Sequence, residues 1–189
     1  MDKVELRTER LLLRAPSPSD VEAITAACQD PEIQRRIPIP VPYARSDAER
    51  YVTIYSDSGW ASGKSCTWAI TIADEFVGAI GLDGIGSEQA TIGYWLAVSS
   101  RGRGLLTEAA QAVVEFGFAR PPTGLGLIRI EWHAYAGNVA SARVARRVGF
   151  HFEGTLRLGA VGRYAREDDW VAGILAGDGQ SSPAWAILP

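Results

Sequence analysis

Cysteine and histidine are scarce in this sequence, with two residues of each type among 189. Cys28 and Cys66 lie far apart and form no C-x-x-C pair, so neither a zinc site nor a disulfide framework is predicted. The two histidines, His133 and His151, are too few for a typical metal cluster. We therefore expect the chemistry of this chain to use no metal.

The sequence also lacks an excess of charge of one sign and any long apolar run. Nineteen Lys and Arg residues against 22 Asp and Glu residues give a net charge of −3, which is unlike the basic footprint of a nucleic-acid-binding protein. The N-terminus has no signal-peptide pattern and no 18-residue apolar stretch follows, so no membrane partner is predicted. The expected location is cytoplasmic.

What the sequence does contain is the composition of an ordinary globular domain. Hydrophobic residues make up 47% and charged residues 22%. A chain of this length buries enough surface to fold without disulfides. Because no internal repeat or domain boundary is visible, we predict one domain over residues 1–176. Residues 177–189 are polar, contain glycine and proline, and are predicted to form a loose C-terminal tail.

Hydrophobic periodicity and breaker residues predict strands that first form a meander and then alternate with helices. The predicted strands lie at residues 11–13, 67–72, 76–82, 90–97 and 127–134, at Phe152, and at residues 170–175. The predicted helices lie at residues 21–28, 46–56, 105–119 and 138–148. This order predicts an α/β (α+β) fold with a mixed sheet and helices on both of its faces.

Residues 37–43 read Ile-Pro-Ile-Pro-Val-Pro-Tyr. Alternating prolines fix φ and remove backbone donors, so this stretch is predicted to be extended and to lie outside helices and sheet interiors. Two interpretations remain open from the residues alone. The stretch is either a rigid linker between two helices or a stiff wall of a groove.

The segment with the most specific chemistry runs from Arg101 to Glu108 and reads Arg-Gly-Arg-Gly-Leu-Leu-Thr-Glu, at a predicted strand-to-helix junction. The first N–H groups of a helix lack intrahelical partners, and the helix dipole adds partial positive charge there. Gly102 and Gly104 have no Cβ atoms, so an anion can approach the backbone, and the two arginines add charge and donors. This pattern favours a pyrophosphate site, with a tight turn that binds nothing as the alternative.

Two familiar phosphate-binding motifs are excluded at this segment. The sequence has no G-x-x-x-x-G-K-[ST], which rules out a P-loop. It also has no G-x-G-x-x-G, because Thr107 occupies the position of the third glycine. The predicted anion site therefore belongs to another class of glycine turn.

A resemblance to a known family rests on two separated blocks. The first comprises Tyr94-Trp95-Leu96, Arg101-Gly102-Arg103-Gly104 and Thr107-Glu108-Ala109, and it resembles motif A of the GNAT superfamily of acyl-CoA N-acyltransferases. Arg101 and Gly104 match that family's R/Q-x-x-G-x-G/A turn, whereas Leu106 departs from its final Gly or Ala. A larger side chain must therefore be tolerated at this last position.

The second block comprises Asn138-Val139-Ala140-Ser141, Gly149-Phe150 and Glu153-Gly154. It is similar to the RimJ/RimL-type branch, which acetylates N-terminal α-amines of ribosomal proteins. The opening at residues 8–14 and the ending Asp168-Asp169-Trp170 also resemble that branch. The resemblance covers roughly residues 5 to 176 and is specific for the superfamily, but much less so for the substrate.

The resemblance implies the GNAT fold, in which the sheet is mostly antiparallel and the strand before the glycine turn splays from its neighbour. It implies acetyl-CoA as cosubstrate, with pantetheine lying in the gap like an extra strand. Leu96 and Ala97 would lend backbone groups to it, and the Leu96 N–H would be the oxyanion donor. The turn would hold the pyrophosphate through its backbone amides. The cofactor-binding residues implied there are Arg101, Gly102, Arg103, Gly104, Leu105, Leu106 and Thr107.

Two residues of the second block receive roles from the same resemblance. Ser141 lies one helical turn after Asn138, so the two side chains share a face. The resemblance implies that Asn138 contacts the cofactor and that Ser141 protonates the departing sulfur. Structural roles are the alternatives, with Asn138 as a helix N-cap and Ser141 as an ordinary residue of the first turn, although capping by Asn138 does not exclude a cofactor contact.

The general base is where the sequence departs from the family it resembles. RimJ/RimL-type sequences often carry glutamate two residues before the Gly-Tyr-Trp segment, but this chain has Thr91, which cannot accept a proton at neutral pH. Other candidates are Glu88 and Asp83 in the glycine-rich connection, and Glu131 and His133 on one face of the next strand. Because each of these has an ordinary structural role, water-mediated deprotonation is favoured.

The resulting hypothesis is an enzyme that moves an acetyl group from acetyl-CoA to a primary amine, either a protein N-terminus or a small amine. Direct transfer is favoured, because neither Cys28 nor Cys66 has a histidine partner nearby in sequence. One alternative is the use of a longer acyl-CoA. Another is a catalytically impaired CoA-binding or sensing module, which Thr91 favours. A homodimer is also compatible with the sequence.

Overall fold

The computed structural model describes residues 1–179 and 184–188. The strands are β1 (Leu6–Arg7), β2 (Leu12–Arg14), β3 (Ser65–Ile72), β4 (Glu75–Gly86), β5 (Gln89–Leu96), β6 (Arg129–Tyr135), β7 (His151–Val161) and β8 (Arg166–Leu175). The α-helices are α1 (Val21–Ala27), α2 (Pro31–Arg36), α3 (Arg45–Arg50), α4 (Asp57–Ser62), α5 (Leu105–Phe118) and α6 (Val139–Val148). A π-helical segment, Tyr51–Ser56, joins α3 to α4.

The strands form one eight-stranded sheet in the order β1-β2-β3-β4-β5-β6-β8-β7. Neighbouring strands are antiparallel except for β5 and β6, which are parallel. A parallel pair cannot be joined by a tight turn, and α5 lies in the crossover between these two strands. The predicted mixed and mostly antiparallel sheet is confirmed.

Helices cover both faces of the sheet, as predicted. The main core includes Trp132 and Phe150 and lies on the face that carries α5 and α6. A smaller core, formed by α1, α2, α3 and their surroundings, lies on the other face and packs against Trp95 of β5. Successive strand residues point to opposite faces. The even-numbered residues of β5 and β6 therefore face α5 and α6, and the odd-numbered residues face the layer of α1 to α3.

The helical layer of α1 to α3 differs from its sequence prediction. Asp30 and Pro31 end the first helix as expected, but they also begin α2, which was not predicted. Asp30 Oδ1 accepts hydrogen bonds from the N–H groups of Glu32 and Ile33, and Pro31 occupies the first helical position, where no donor is needed. The extended residues 37–43 then connect α2 to α3.

The predicted loose tail over residues 177–189 is wrong for the part around Trp185. This side chain is only 2% exposed and its ring lies 5.7 Å from Trp132 and 5.5 Å from Phe152. Its indole N–H donates to the carbonyl of Phe150 at 3.2 Å. A large aromatic side chain gains enough free energy from burial to order a short polar segment. Residues 180–183 and 189 of the predicted tail lie outside the described residues.

Candidate active site

The parallel strands β5 and β6 pair over four residues, from Gln89 opposite Arg129 to Ile92 opposite Trp132. Beyond that point β5 continues to Leu96 and β6 continues to Tyr135. The two strands therefore separate, and their facing edges border a gap. The splayed strand pair implied by the sequence resemblance is confirmed at this position.

The backbone N–H of Leu96 points into this gap. On the next residue, the Ala97 N–H donates to the carbonyl of Val77 on the β4 side at 2.9 Å. Because consecutive N–H groups of a strand point to opposite edges, the Leu96 N–H points away from β4. Its position fits the predicted oxyanion donor. The Ala97 N–H is already bonded and offers the gap no donor, whereas its carbonyl accepts from the Ser100 N–H at 3.0 Å and keeps a second lone pair, so a backbone contact of Ala97 with the cofactor stays a prediction.

The Arg101 side chain turns back into the protein. Its Nε donates to the Leu96 carbonyl at 3.2 Å, and its Nη2 lies 3.2 Å from Asp30 Oδ2. Since Asp30 caps α2, Arg101 connects the end of β5 to the helical layer on the other face. The guanidinium has five N–H donors and these contacts use two of them, so binding of an anion by Arg101 stays a prediction. Arg101 also fixes the end of the splayed strand.

Two glycines shape the turn between β5 and α5. Gly102 and Gly104 have φ angles of 76° and 77°, in the left-handed region that side chains other than glycine rarely adopt. A Cβ atom on Gly102 would meet nothing within 4 Å, and one on Gly104 would first meet Arg10 Nη2 at 3.7 Å. The outer side of the turn is therefore open. An anion can reach the N–H groups at the start of α5 from this side.

The other predicted turn residues differ in what they expose. Arg103 is exposed, Leu106 and Thr107 are half-buried, and Leu105 is 1% exposed within the main core. Leu105 and Leu106 point apolar side chains at the protein, so only their backbone groups are suited to a phosphate. The departure of Leu106 from the family's Gly or Ala is accommodated by packing against the main core.

The N-terminal segment clamps the first turn of α5 through Glu108. Thr8 Oγ1 donates to Glu108 Oε1 at 2.5 Å, and Arg10 Nε donates to Glu108 Oε2 at 2.7 Å. Arg10 also donates to the carbonyl of Arg103 at 3.1 Å. Burial alone would raise the pKa of Glu108, but the hydrogen bonds from Thr8 and Arg10 lower that pKa below its ordinary value. Residues of the N-terminal segment 8–14 and residues of the glycine turn and the start of α5 thus form one hydrogen-bond network.

An open hollow of about 440 Å³ lies beside the turn. It is lined by Glu9, Arg10, Gly104, Thr107, Glu108, Gln111 and Arg147. Gln111 and Arg147 come from α5 and α6 and were not predicted as site residues. Arg147 is exposed in the last turn of α6, and no local motif of the sequence distinguishes it from a solvated arginine.

Ser141 and Asn138 lie at the start of α6, beside the gap. Asn138 caps the helix, because its Oδ1 accepts from the Ser141 N–H at 3.3 Å. The Ser141 hydroxyl oxygen accepts from the indole N–H of Trp132 at 3.0 Å, and the Ser141 carbonyl accepts from the Tyr94 hydroxyl at 3.0 Å. Trp132 and Tyr94 belong to the two splayed strands. The structure therefore brings Ser141 to the gap and shows Asn138 as a helix cap, a role that does not exclude its predicted contact with the cofactor.

A row of polar residues crosses the opposite face of the sheet. Asp83, Thr91 and Glu131 are register partners on β4, β5 and β6. Burial raises the pKa of Asp83 above its ordinary value, although a hydrogen bond from the Tyr55 hydroxyl at 2.6 Å opposes the shift. Glu88 is exposed in the turn before β5, and its carbonyl accepts from the N–H of Ile128. Glu88 therefore lies outside this row.

His133 follows Trp132 on β6 and belongs to the same face as Glu131. Its Nδ1 lies 2.7 Å from Asp169 Oδ2 on β8, and its Nε2 lies 3.6 Å from Glu131 Oε2. Asp169 itself is 7% exposed. The sequence predicts that Glu131 and His133 lie on one face of the same strand. It gives Asp169 no role beyond its place in the segment 168–170, which resembles the RimJ/RimL-type branch.

Within residues 1–179 and 184–188, no group of three or more His, Cys, Asp or Glu side chains is suited to holding a metal ion. The same part of the chain has no helix long and apolar enough to cross a membrane.

The sequence matches the family model described as an acetyltransferase (GNAT) domain over residues 10–151. The uncharacterized N-acetyltransferase p20 of Bacillus licheniformis is 31% identical over 156 residues, covering 80% of this chain and 85% of the relative. The uncharacterized N-acetyltransferase YoaA of Bacillus subtilis (strain 168) is 30% identical over 160 residues, with the same two coverages of 80% and 85%.

Solved structures agree with these matches. Mycobacterium smegmatis RimJ, in complex with CoA-disulfide, superposes with a TM-score of 0.79 at 26% identity and covers 92% of this chain and 87% of its own. RimL, a ribosomal L7/L12 alpha-N-protein acetyltransferase in complex with coenzyme A, gives a TM-score of 0.80 at 22% identity and covers 91% and 98%. The chain is therefore an acyltransferase enzyme that belongs to the GNAT family of acetyltransferases.

Proposed function

We propose that this enzyme transfers the acetyl group of acetyl-CoA directly to a primary amine, with the α-amine of a protein N-terminus as the acceptor. The observation that carries the proposal is the gap between β5 and β6, into which the Leu96 N–H points beside an open glycine turn. One edge of this gap would position a thioester while the turn holds the pyrophosphate. The two features lie at the same end of β5, as one extended cofactor requires.

The turn suits a pyrophosphate because it combines three properties. It lies at the start of the 14-residue helix α5, where N–H groups lack partners and the dipole is positive. Gly102 and Gly104 leave its outer side open. Arg147 adds positive charge in the adjoining hollow, where Arg10 is paired with Glu108. These residues would hold the phosphates, with Gly102, Gly104 and their neighbours contributing backbone donors.

The residues at the gap supply two further elements of acyl transfer. The Leu96 N–H would stabilise the oxyanion of the tetrahedral intermediate, and its direction is held by the hydrogen bond from Arg101 to the Leu96 carbonyl. The Ser141 oxygen accepts from the Trp132 indole N–H and lies beside the Tyr94 hydroxyl, so Ser141 keeps its own O–H as a donor at this position. Ser141 would give its proton to the leaving thiolate.

The cysteines support transfer without a covalent intermediate. Burial raises the pKa of the Cys28 thiol to about 11 and that of the Cys66 thiol to about 12. Both side chains are buried, at 2% and 0% exposure. A nucleophilic cysteine needs a lowered pKa and access to substrate. Attack by the amine itself on the thioester is therefore the favoured route.

The acceptor side is the face of the sheet that carries Asp83, Glu131 and Asp169. These carboxyl groups attract a primary ammonium group, which is the protonated form of the proposed acceptor. The choice of a protein N-terminus is supported by RimJ and RimL, whose overall folds match this chain. Residues 37–43 border this side, and Arg163 of the β7–β8 hairpin donates to the Ile39 carbonyl at 2.8 Å. This contact favours the interpretation of the proline stretch as a wall.

A thiol-release assay tests the proposal. Purified enzyme is mixed with acetyl-CoA and a panel of lysine-free peptides, polyamines and aminoglycosides, and free CoA is measured together with acetylated product. We expect release that depends on a peptide with a free N-terminus and equals the amount of acetylated peptide. The matched control is the same peptide already acetylated at its N-terminus, which should give no release.

Two other outcomes would replace the proposal with its alternatives. Binding of acetyl-CoA by calorimetry without release for any amine would identify a CoA-binding module that lacks catalysis, which Thr91 in the expected glutamate position favours. Faster turnover with a longer acyl-CoA would show that acetyl is not the preferred group. Release with small amines alone would contradict the protein N-terminus as acceptor.

A further inference from the structure

We propose that His133 is the general base that deprotonates the acceptor ammonium and that Asp169 positions it; this proposal rests on the proposed acetyl transfer. His133 is the first residue of β6 beyond the paired segment. The parallel register ends at Ile92 opposite Trp132, so the next residues, Gly93 and His133, lie where the two strands begin to separate. A Cβ atom on Gly93 would meet nothing within 4 Å, so the space across from the imidazole is open.

The partners of the ring decide which nitrogen can accept a proton. Nδ1 lies 2.7 Å from a carboxylate oxygen of Asp169, and an ionised carboxylate only accepts hydrogen bonds. Nδ1 therefore carries the hydrogen, and Nε2 is the basic nitrogen. Nε2 lies 3.6 Å from Glu131 Oε2, beyond hydrogen-bond distance, and the imidazole is 36% exposed. Asp169 thus fixes the tautomer that a general base needs.

Charged groups from three strands surround His133. Asp169 comes from β8, Glu131 from β6 itself, and Glu153 from β7. Arg129 lies between the two glutamates, 3.0 Å from Glu131 and 2.6 Å from Glu153. The imidazole therefore has carboxylate oxygens near both of its nitrogens, from Asp169 at Nδ1 and from Glu131 beyond Nε2.

The position of Thr91 supports a base on the neighbouring strand. Thr91 is the register partner of Glu131, and His133 lies two residues further along β6 on the same face. Measured along the strand direction, His133 is therefore nearer to Leu96 than Thr91 is. Leu96 itself lies three residues beyond Gly93. Three residues of strand span about 10 Å, so the proposed proton transfer runs from the ammonium to Nε2 through ordered water.

The proposed step balances as follows. One proton moves from the ammonium through the water to Nε2, and the neutral amine attacks the thioester carbonyl carbon. The C–N bond forms while the oxyanion meets the Leu96 N–H, and the C–S bond then breaks. Ser141 donates its proton to the departing sulfur. The former amine nitrogen loses one proton after the C–N bond has formed, and that proton restores the Ser141 hydroxyl. The imidazolium returns its proton to solvent. Ammonium and thioester thus yield amide, thiol and one released proton.

The test is a pH–rate profile of His133→Ala with an N-terminal peptide as acceptor. We expect kcat/KM at neutral pH to fall about 100-fold, as for other general bases, while the Kd for acetyl-CoA stays within twofold. The wild-type profile should reach a plateau below the amine pKa. The variant profile should keep rising towards that pKa, and added imidazole should restore part of the activity. His151→Ala, which replaces the other histidine, is the matched control.

Asp169→Asn tests the positioning role. Loss of the carboxylate removes the preference for hydrogen on Nδ1, so we expect kcat/KM to fall about tenfold with an altered pH profile. Asp168→Asn, at the adjacent residue, should retain the wild-type profile. His133→Gln, which keeps a donor near Asp169, replaces the alanine variant if that variant melts at a lower temperature.

A wild-type plateau in both His133 variants, with kcat/KM within threefold, would overturn the assignment and favour deprotonation by water alone. An equal loss in His151→Ala would also overturn it. Absence of acetyl transfer by the wild-type enzyme would instead contradict the proposed function itself, which makes the two failures distinguishable.

Discussion

Gly104→Glu is expected to raise the Kd for acetyl-CoA by about 100-fold, which corresponds to about 2.7 kcal/mol. Gly104 has a φ of 77° and is the residue immediately before α5. Glutamate adds strain at this φ and places negative charge where the helix dipole and free N–H groups attract a phosphate. Isothermal titration calorimetry measures the effect directly.

Two variants separate the causes of this loss. Gly104→Ala introduces the strain without charge, and the nearest atom to its Cβ would be a flexible arginine nitrogen at 3.7 Å, so we expect a loss of about tenfold or less. Gly63→Glu is the matched control, because Gly63 has a φ of 68°, nothing within 4 Å of its Cβ position, and a place at the end of α4 beside β3. Unchanged affinity in Gly104→Glu would contradict the assignment of the turn.

Ser141→Ala is expected to lower kcat by about 100-fold while leaving the Kd for acetyl-CoA nearly unchanged. The Ser141 hydroxyl is proposed to donate as negative charge develops on sulfur, a contact that matters in the transition state and little in the ground state. Single-turnover kinetics and calorimetry on the same preparation give the two quantities.

The alanine variant also removes the acceptor of the Trp132 indole N–H, which costs about 1–3 kcal/mol if the donor stays buried. Thermal melting therefore accompanies the kinetics. Ser141→Thr keeps the hydroxyl and should retain most of the wild-type kcat. A parallel loss of kcat and affinity in Ser141→Ala would identify a binding or folding residue instead.

The elements near the site could be predicted because their signals are local. Sequence patterns predict the bounds of β5, of the glycine turn and of α5 to within one or two residues. The alternation of apolar and polar residues, the paired glycines and the helical periodicity are all visible in short windows of sequence. The same holds for α6, which begins after the Asn138 cap and ends before Gly149. The resemblance to a family then supplied the splay, which local patterns do not encode.

The contacts that complete the site are long-range and could not be predicted. Glu108 binds Thr8 and Arg10, which are 100 and 98 residues away in sequence, and the Nδ1 of His133 meets Asp169 from 36 residues away. Such pairs depend on sheet register, and a shift of one residue would place them on opposite faces. The docking of Trp185 is another tertiary contact that its polar, glycine-containing surroundings conceal.

A crystal structure of the enzyme with acetyl-CoA tests the central claim most directly. The account predicts pyrophosphate oxygens within about 3.2 Å of backbone nitrogens between residues 102 and 107. It also predicts pantetheine between β5 and β6, with the thioester oxygen at the Leu96 N–H. Acetyl-CoA bound away from the turn, or a gap closed by continued pairing of β5 with β6, would contradict the account.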